Sequence, residues 1–100
     1  MNTGVFGLAI DFLMHCKSLE IQGPLKRRLT RASAQILLNL AESKRSHGAD
    51  RERYLAAALA AVRECQRILE SLRDAPHQLL QRASRLGIGL QQFRKPGLAA

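Results

Sequence analysis

Apolar residues recur at intervals of three and four along most of this 100-residue chain. Such spacing places them on one face of an α-helix, whereas a β-strand would show strict alternation. Residues 29–45 show the pattern most clearly, because a small apolar stripe lies there beside a continuous polar stripe. The apolar stripe comprises Leu29, Ala32, Ile36, Leu40 and Ser43, and the polar stripe comprises Arg28, Arg31, Gln35, Asn39 and Glu42.

Breaks in this pattern divide the chain into four helical segments joined by short turns. Pro24 suits the first turn of the second helix, where its missing N–H costs nothing. Asp50 is a favourable N-cap residue and is expected to begin the third helix. Asp74-Ala75-Pro76 restarts the chain for the fourth helix. The first three helices are predicted over about residues 3–19, 24–45 and 50–73.

The predicted fold is all-α, an antiparallel up-down four-helix bundle. One hundred residues are enough for a single core. Hydrophobic residues make up 46% of the chain and aromatic ones only 4%, so Leu, Ile, Val and Ala have to fill the interior. Such a core suits helices that pack on helices. We expect one domain over residues 1–94 and a disordered tail over residues 95–100.

The third helix carries more apolar surface than a single bundle requires. A heptad-like seam runs from Leu55 to Leu72, and a second apolar stripe lies beside it. A helix in a monomeric bundle needs a stripe roughly 100° wide. The surplus predicts contact with further copies of the chain, although alanine is also common on exposed helix surfaces because it is the best helix former. The predicted oligomer interface comprises Tyr54, Ala57, Ala61 and Ile68.

The charge of the chain points to a polyanionic partner. Sixteen Lys and Arg against eight Asp and Glu give a net charge of +8. Most of the cations are Arg, whose guanidinium binds phosphate through two parallel hydrogen bonds. Solubility, or weak nonspecific contact with nucleic acid, is the other explanation, but so high a charge on so short a chain favours a polyanionic partner without identifying it. The predicted nucleic-acid-binding residues are Lys26, Arg27, Arg28, Lys44, Arg45 and Arg51.

No motif in the sequence indicates catalysis or metal binding. None of the three histidines has a second His or Cys three or four residues away, and neither a Walker motif nor a Gly-rich phosphate loop is present. Cys16 and Cys65 form no C-x-x-C pair and are expected to be buried, reduced thiols of a cytoplasmic protein. The apolar run 5–14 contains Asp11, is too short to span a bilayer and lacks the basic n-region of an export signal. We therefore expect a non-enzyme without a metal or cofactor.

Two segments resemble a known bacterial family. The order Arg31-Ala32, Ile36, Asn39-Leu40-Ala41-Glu42 resembles the R-A-x-x-x-I-x-x-N-I-A-E-G signature of small four-helix-bundle proteins. These proteins are encoded by intervening sequences in large-subunit rRNA, and the accessory variability determinants of diversity-generating retroelements are their structural relatives. The segment 58–64 resembles the A-x-G-S-x-x-E motif of the family, with alanine in place of both Gly and Ser. Ser43 stands where the family has Gly after N-I-A-E.

The resemblance implies a homo-oligomeric ring, specifically a pentamer, that contacts RNA and has a reverse transcriptase as a partner. It is most specific at four polar residues on the second and third helices. Charged groups at a helix boundary are costly unless they are paired and hydrogen-bonded. We therefore expect these residues to form a structural polar network between the two helices. The predicted network comprises Arg31, Asn39, Glu42 and Glu64.

The expected function is that of a non-enzymatic scaffold that oligomerises and binds nucleic acid, with RNA as the first candidate. A second interpretation remains open: a protein–protein assembly module whose basicity offsets an acidic partner. The sequence does not identify the RNA or the partner protein. Salt dependence of RNA binding separates the two interpretations, because only a phosphate-driven complex weakens steeply as salt is added.

Overall fold

The computed structural model describes residues 4–74 and 76–94. The predicted tail over residues 95–100 lies outside this range. Within the described residues the backbone forms four α-helices and no strand, which confirms the predicted all-α class. The helices are α1 (Val5–Ser18), α2 (Gly23–Lys44), α3 (Gly48–Glu70) and α4 (His77–Arg94).

Neighbouring helices run antiparallel around one core. α2 packs against α1 and α3, and α4 packs against α3 and α1. The start of α2 meets the end of α3, where Arg28 forms an ion pair with Glu64. The start of α3 meets the end of α4, where Arg94 pairs with Glu52. This arrangement is the predicted up-down bundle, and it brings the start of every second helix to the same end of the molecule.

The core is built from the apolar stripes predicted from the sequence. All five residues of the α2 stripe are buried, and the two cysteines and Phe12 are fully enclosed. Ser43 is the polar member of that stripe, and its hydroxyl donates to the Leu40 carbonyl at 2.6 Å, so burial leaves no unpaired donor. No helix among the described residues has both the length and the apolar character needed to cross a bilayer.

Cys16 and Cys65 are free thiols enclosed in the core, as predicted. Burial raises the pKa of the Cys16 thiol to about 12, although the hydroxyl of Ser33 opposes this shift. Burial also raises the pKa of the Cys65 thiol, and the neighbouring Cys16 adds to the effect. Both thiols therefore remain neutral near physiological pH, and a neutral buried thiol is a packing group rather than a nucleophile.

α3 begins earlier than predicted, so the assignment of Asp50 as its N-cap is wrong. The helix follows His47, starts at Gly48 and has Asp50 in its first turn. Gly48 has a φ of 55°, a conformation that residues with a side chain rarely adopt, and this glycine therefore sets the turn after α2. The Asp50 carboxylate instead lies 2.9 Å from Arg53, where it also complements the positive end of the helix dipole.

Candidate nucleic-acid interface

The six cations predicted to bind nucleic acid divide between the two ends of the bundle. Residues 26–28 lie in the first turns of α2, whereas residues 44, 45 and 51 lie at the end of α2 and the start of α3. The two groups are roughly 27 Å apart along α2 at 1.5 Å per residue. We refer to Lys26, Arg27 and Arg28 as the proximal cluster, and to Lys44, Arg45 and Arg51 as the distal cluster.

Members of the proximal cluster differ in how firmly they are held. The Lys26 ammonium donates to the carbonyl of Lys17 at 2.8 Å and also to that of Leu19, so it binds the carboxyl-terminal end of α1. Such a position matches the negative end of the α1 dipole. Arg28 is paired with a carboxylate across the helix boundary. Arg27 is exposed and forms no ion pair with any described residue, which leaves its guanidinium available to an external anion.

Glu64 organises the cations at this end of the bundle. One carboxylate oxygen accepts a hydrogen bond from Arg28 at 2.7 Å, and the other accepts one from Arg67 at 3.1 Å. These two bonds hold the pKa of Glu64 below its usual range. The ionised carboxylate therefore positions two guanidinium groups, but it neutralises only one positive charge.

An open groove of about 370 Å³ lies between α2 and α3 at this point. We call it the α2–α3 groove. Arg31 lines it and was expected to neutralise a carboxylate, yet it makes no ion pair within the described part of the chain. Arg27 lies one helical turn before Arg31, on the adjoining surface. Arg28 and Arg67 therefore contact the Glu64 carboxylate, and Arg31 lines the same groove without pairing to it. The groove is lined by Arg28, Arg31, Ala32, Gln35, Ala60, Ala61 and Glu64.

Asn39, Glu42 and Glu64 each form contacts outside the predicted polar network, and Arg31 forms no ion pair within the described residues. The Asn39 amide donates to a backbone carbonyl one turn earlier in α2, at 2.9 Å. Glu42 accepts a hydrogen bond from Arg45 at 3.0 Å. Glu64 does link α2 to α3, but its partner on α2 is Arg28. The ion pair between α2 and α3 therefore joins Glu64 to Arg28, a residue outside the predicted network.

Aromatic rings hold two members of the distal cluster. The Lys44 ammonium lies 4.9 Å from the centre of the Phe6 ring, and the Arg51 guanidinium lies 5.0 Å from that of Phe93. Arg51 also donates to the backbone carbonyl of Phe93 at 2.8 Å. A ring orders a cation without cancelling its charge, so Lys44 and Arg51 keep their charge while Arg45 is paired with a carboxylate.

No protein-family model, curated protein or solved structure significantly matches this chain. Among the described residues, no three His, Cys, Asp or Glu side chains lie close enough together to hold a metal ion.

The predicted oligomer interface on α3 is divided between surface and core. Ala57 is exposed, and Tyr54 and Ala61 are half-buried. Ile68 is only 2% exposed and packs in the core of its own chain, so it contributes no outer surface. Ile68 follows Glu64 by one helical turn, on the side of α3 that faces α2. Ala56 is exposed beside Ala57, whereas Ala60 and Ala61 line the α2–α3 groove.

Three residues of these sites were not identified from the sequence. Arg67 follows Glu64 at the i,i+3 spacing typical of helical ion pairs, a signal that predicts this contact. Phe6 and Phe93 lie near opposite ends of the chain and face the distal cluster only in the folded bundle. No local pattern marks them.

Proposed function

We propose that this chain is a non-enzymatic, basic four-helix-bundle scaffold that oligomerises and binds nucleic acid, with RNA as the expected polymer. The arrangement at the α2–α3 groove supports this proposal most directly. Arg28 and Arg67 contact the Glu64 carboxylate there, Arg31 lines the groove, and the exposed Arg27 lies one helical turn before Arg31. Guanidinium groups bind phosphate oxygens in two-point contacts, so these four arginines, which we call the strip, suit a phosphate backbone.

The placement of Glu64 makes the strip more than a collection of flexible side chains. By holding Arg28 and Arg67, it removes part of the entropy that these side chains would lose on binding phosphate. One copy of the chain offers only a few such contacts. In a ring the strip would recur in every subunit, and weak contacts would add through multivalency. The pentamer and the reverse-transcriptase partner belong to the proposal through the family resemblance alone.

The protein–protein assembly module is a second candidate, and one observation favours it. Ile10 and Met14 lie one turn apart on α1 and are 48% and 59% exposed. Two large apolar side chains on one helical surface suit a protein partner better than a phosphate backbone. On this hypothesis the basic residues serve no specific binding, and the arginines at the groove are interchangeable with arginines elsewhere on the surface.

Charge-matched double variants distinguish the two candidates. Arg27→Gln with Arg31→Gln removes two guanidiniums from the strip, and neither residue forms an ion pair in the described structure. We expect RNA affinity, measured by fluorescence anisotropy, to fall at least about tenfold, because each charge-assisted contact contributes on the order of 1 kcal/mol.

The control is Arg63→Gln with Arg85→Gln, which lowers the net charge equally at two exposed positions outside the groove. This control should bind RNA nearly as the parent does. Equal loss in both double variants would mean that only total charge matters, and the assignment of the groove would be wrong. Unchanged affinity in both would favour the assembly module.

A further inference from the structure

A cavity of about 550 Å³ opens at the end of the bundle opposite the α2–α3 groove. α1 begins there, and α2 and α4 end there. Its volume falls within the range typical of ligand pockets. We call it the end pocket. The residues that define it are Phe6, Leu8, Lys44, Gly89, Gln92 and Phe93.

The end pocket brings aromatic, basic and polar side chains together. Among the described residues, its lining combines two aromatic rings, one ammonium group and one side-chain amide, and it includes no carboxylate. Lys44 and Arg51 are already ordered beside the two rings, at 4.9 and 5.0 Å from their centres. Gln92 is exposed and supplies both a donor and an acceptor.

We propose that the end pocket binds an unpaired base of a single-stranded nucleic acid, with the adjoining phosphate beside Lys44. This inference rests on the proposed function and extends it from phosphate contact to base contact. Aromatic side chains combined with basic residues are the usual means of binding single strands, because every base has a face that stacks on a ring.

Single-stranded nucleic acid fits these observations better than other occupants do. A base within a duplex is covered on both faces by its neighbours, so only an unpaired base can stack on Phe6 or Phe93. The Lys44 ammonium, with no carboxylate beside it among the described lining residues, favours an anionic ligand over a basic peptide. The polar edge of a base also matches the Gln92 amide, which an aliphatic side chain would leave unpaired.

Gly89 forms part of the wall of the end pocket and has no side chain to fill it. A Cβ atom at this position would lie 3.5 Å from Leu8 Cδ1 and 3.6 Å from Val5 Cγ2, in ordinary van der Waals contact. Alanine is therefore tolerated at position 89. A larger side chain there would compete for the space that we assign to the base.

Abasic RNA tests the proposal with the unmodified full chain. A single-stranded RNA of about ten nucleotides is compared with an abasic strand of the same length and charge. We expect the ordinary strand to bind at least about fivefold more tightly, the factor that corresponds to about 1 kcal/mol for one stacked base. Phe93→Leu should reduce its affinity to that of the abasic strand, and it should leave abasic binding unchanged.

Ile88→Ala is the matched control, because Ile88 is an exposed apolar residue of the same helix and does not line the end pocket. It should keep the preference for the ordinary strand. Equal affinity of the parent for both strands would overturn the base pocket while the proposed function stood, and a protein side chain would then be the better occupant. Failure of the parent to bind either strand would overturn both proposals.

Discussion

Glu64 shows how a single residue determines the geometry of a charged surface. We expected Glu64 to take part in a polar network between α2 and α3, and in the structure it pairs with Arg28 across these helices. Arg31 lines the same groove, and only the register of the two packed helices decides which arginine reaches the carboxylate. Spacing along one helix carries no information about that register, so this part of the site required the structure.

The stability that Glu64 contributes should depend on pH. Its pKa is lowered from 4.5 by hydrogen bonds from Arg28 and Arg67, so the folded state binds fewer protons than the unfolded state as the carboxylate titrates. This contribution is present above the unfolded pKa and is lost as the pH falls through the lower folded value. The free energy of unfolding of the parent should exceed that of Glu64→Gln at about pH 7, and the difference should narrow towards about pH 3.

Urea denaturation of both proteins at several pH values measures this difference. Glu70→Gln is the control, because Glu70 is exposed on the same helix and forms no ion pair with the described residues. Identical pH profiles for the two variants would show that the contacts of Glu64 do not stabilise the fold.

At the scale of the element, apolar spacing carried most of the information. It predicted the buried stripe of α2 and the buried seam of α3 that begins at Leu55, because burial of an amphipathic face is what stabilises a helix in a bundle. The start of α3 was wrong, since a glycine with positive φ replaced the expected side-chain cap at Asp50. The burial of Ile68 was not predicted, because the sequence of a helix with two apolar stripes does not reveal which stripe a neighbouring helix covers.

Assembly is expected to depend on the exposed face of α3 that carries Ala56 and Ala57, which we call the alanine surface. Ala57 is exposed in the single chain, so Ala57→Glu should leave the helical content unchanged. A charge placed in a packed subunit interface is costly, and the variant should therefore dissociate. Light scattering at micromolar concentration should give a multiple of 11.1 kDa for the parent and about 11.1 kDa for the variant.

Ala49→Glu makes the same change in the first turn of α3, away from the centre of the alanine surface, and should keep the parent mass. A parent mass of 11.1 kDa would contradict assembly altogether. An oligomeric Ala57→Glu variant would place the interface on another surface, such as the exposed Ile10 and Met14 of α1.

At the scale of the whole molecule, the bundle separates its cations into two sites with different chemistry. The six cations predicted to bind nucleic acid lie at both ends, because α2 separates its own first turns from the α2–α3 turn. The end pocket was not predictable, because three chain segments that are distant in sequence supply its lining. One end offers guanidiniums around a carboxylate, and the other offers aromatic rings beside cations.

The salt dependence of RNA affinity is the most direct test of the proposed phosphate contacts at the α2–α3 groove. The measurement uses the full chain and a single-stranded RNA between about 50 and 200 mM salt. With four guanidiniums and one carboxylate at the groove, about three phosphates are neutralised per copy, and single strands contribute a slope of about −0.7 for each. The account predicts a log–log slope of about −2 or steeper. Weak binding with a slope near zero would contradict it.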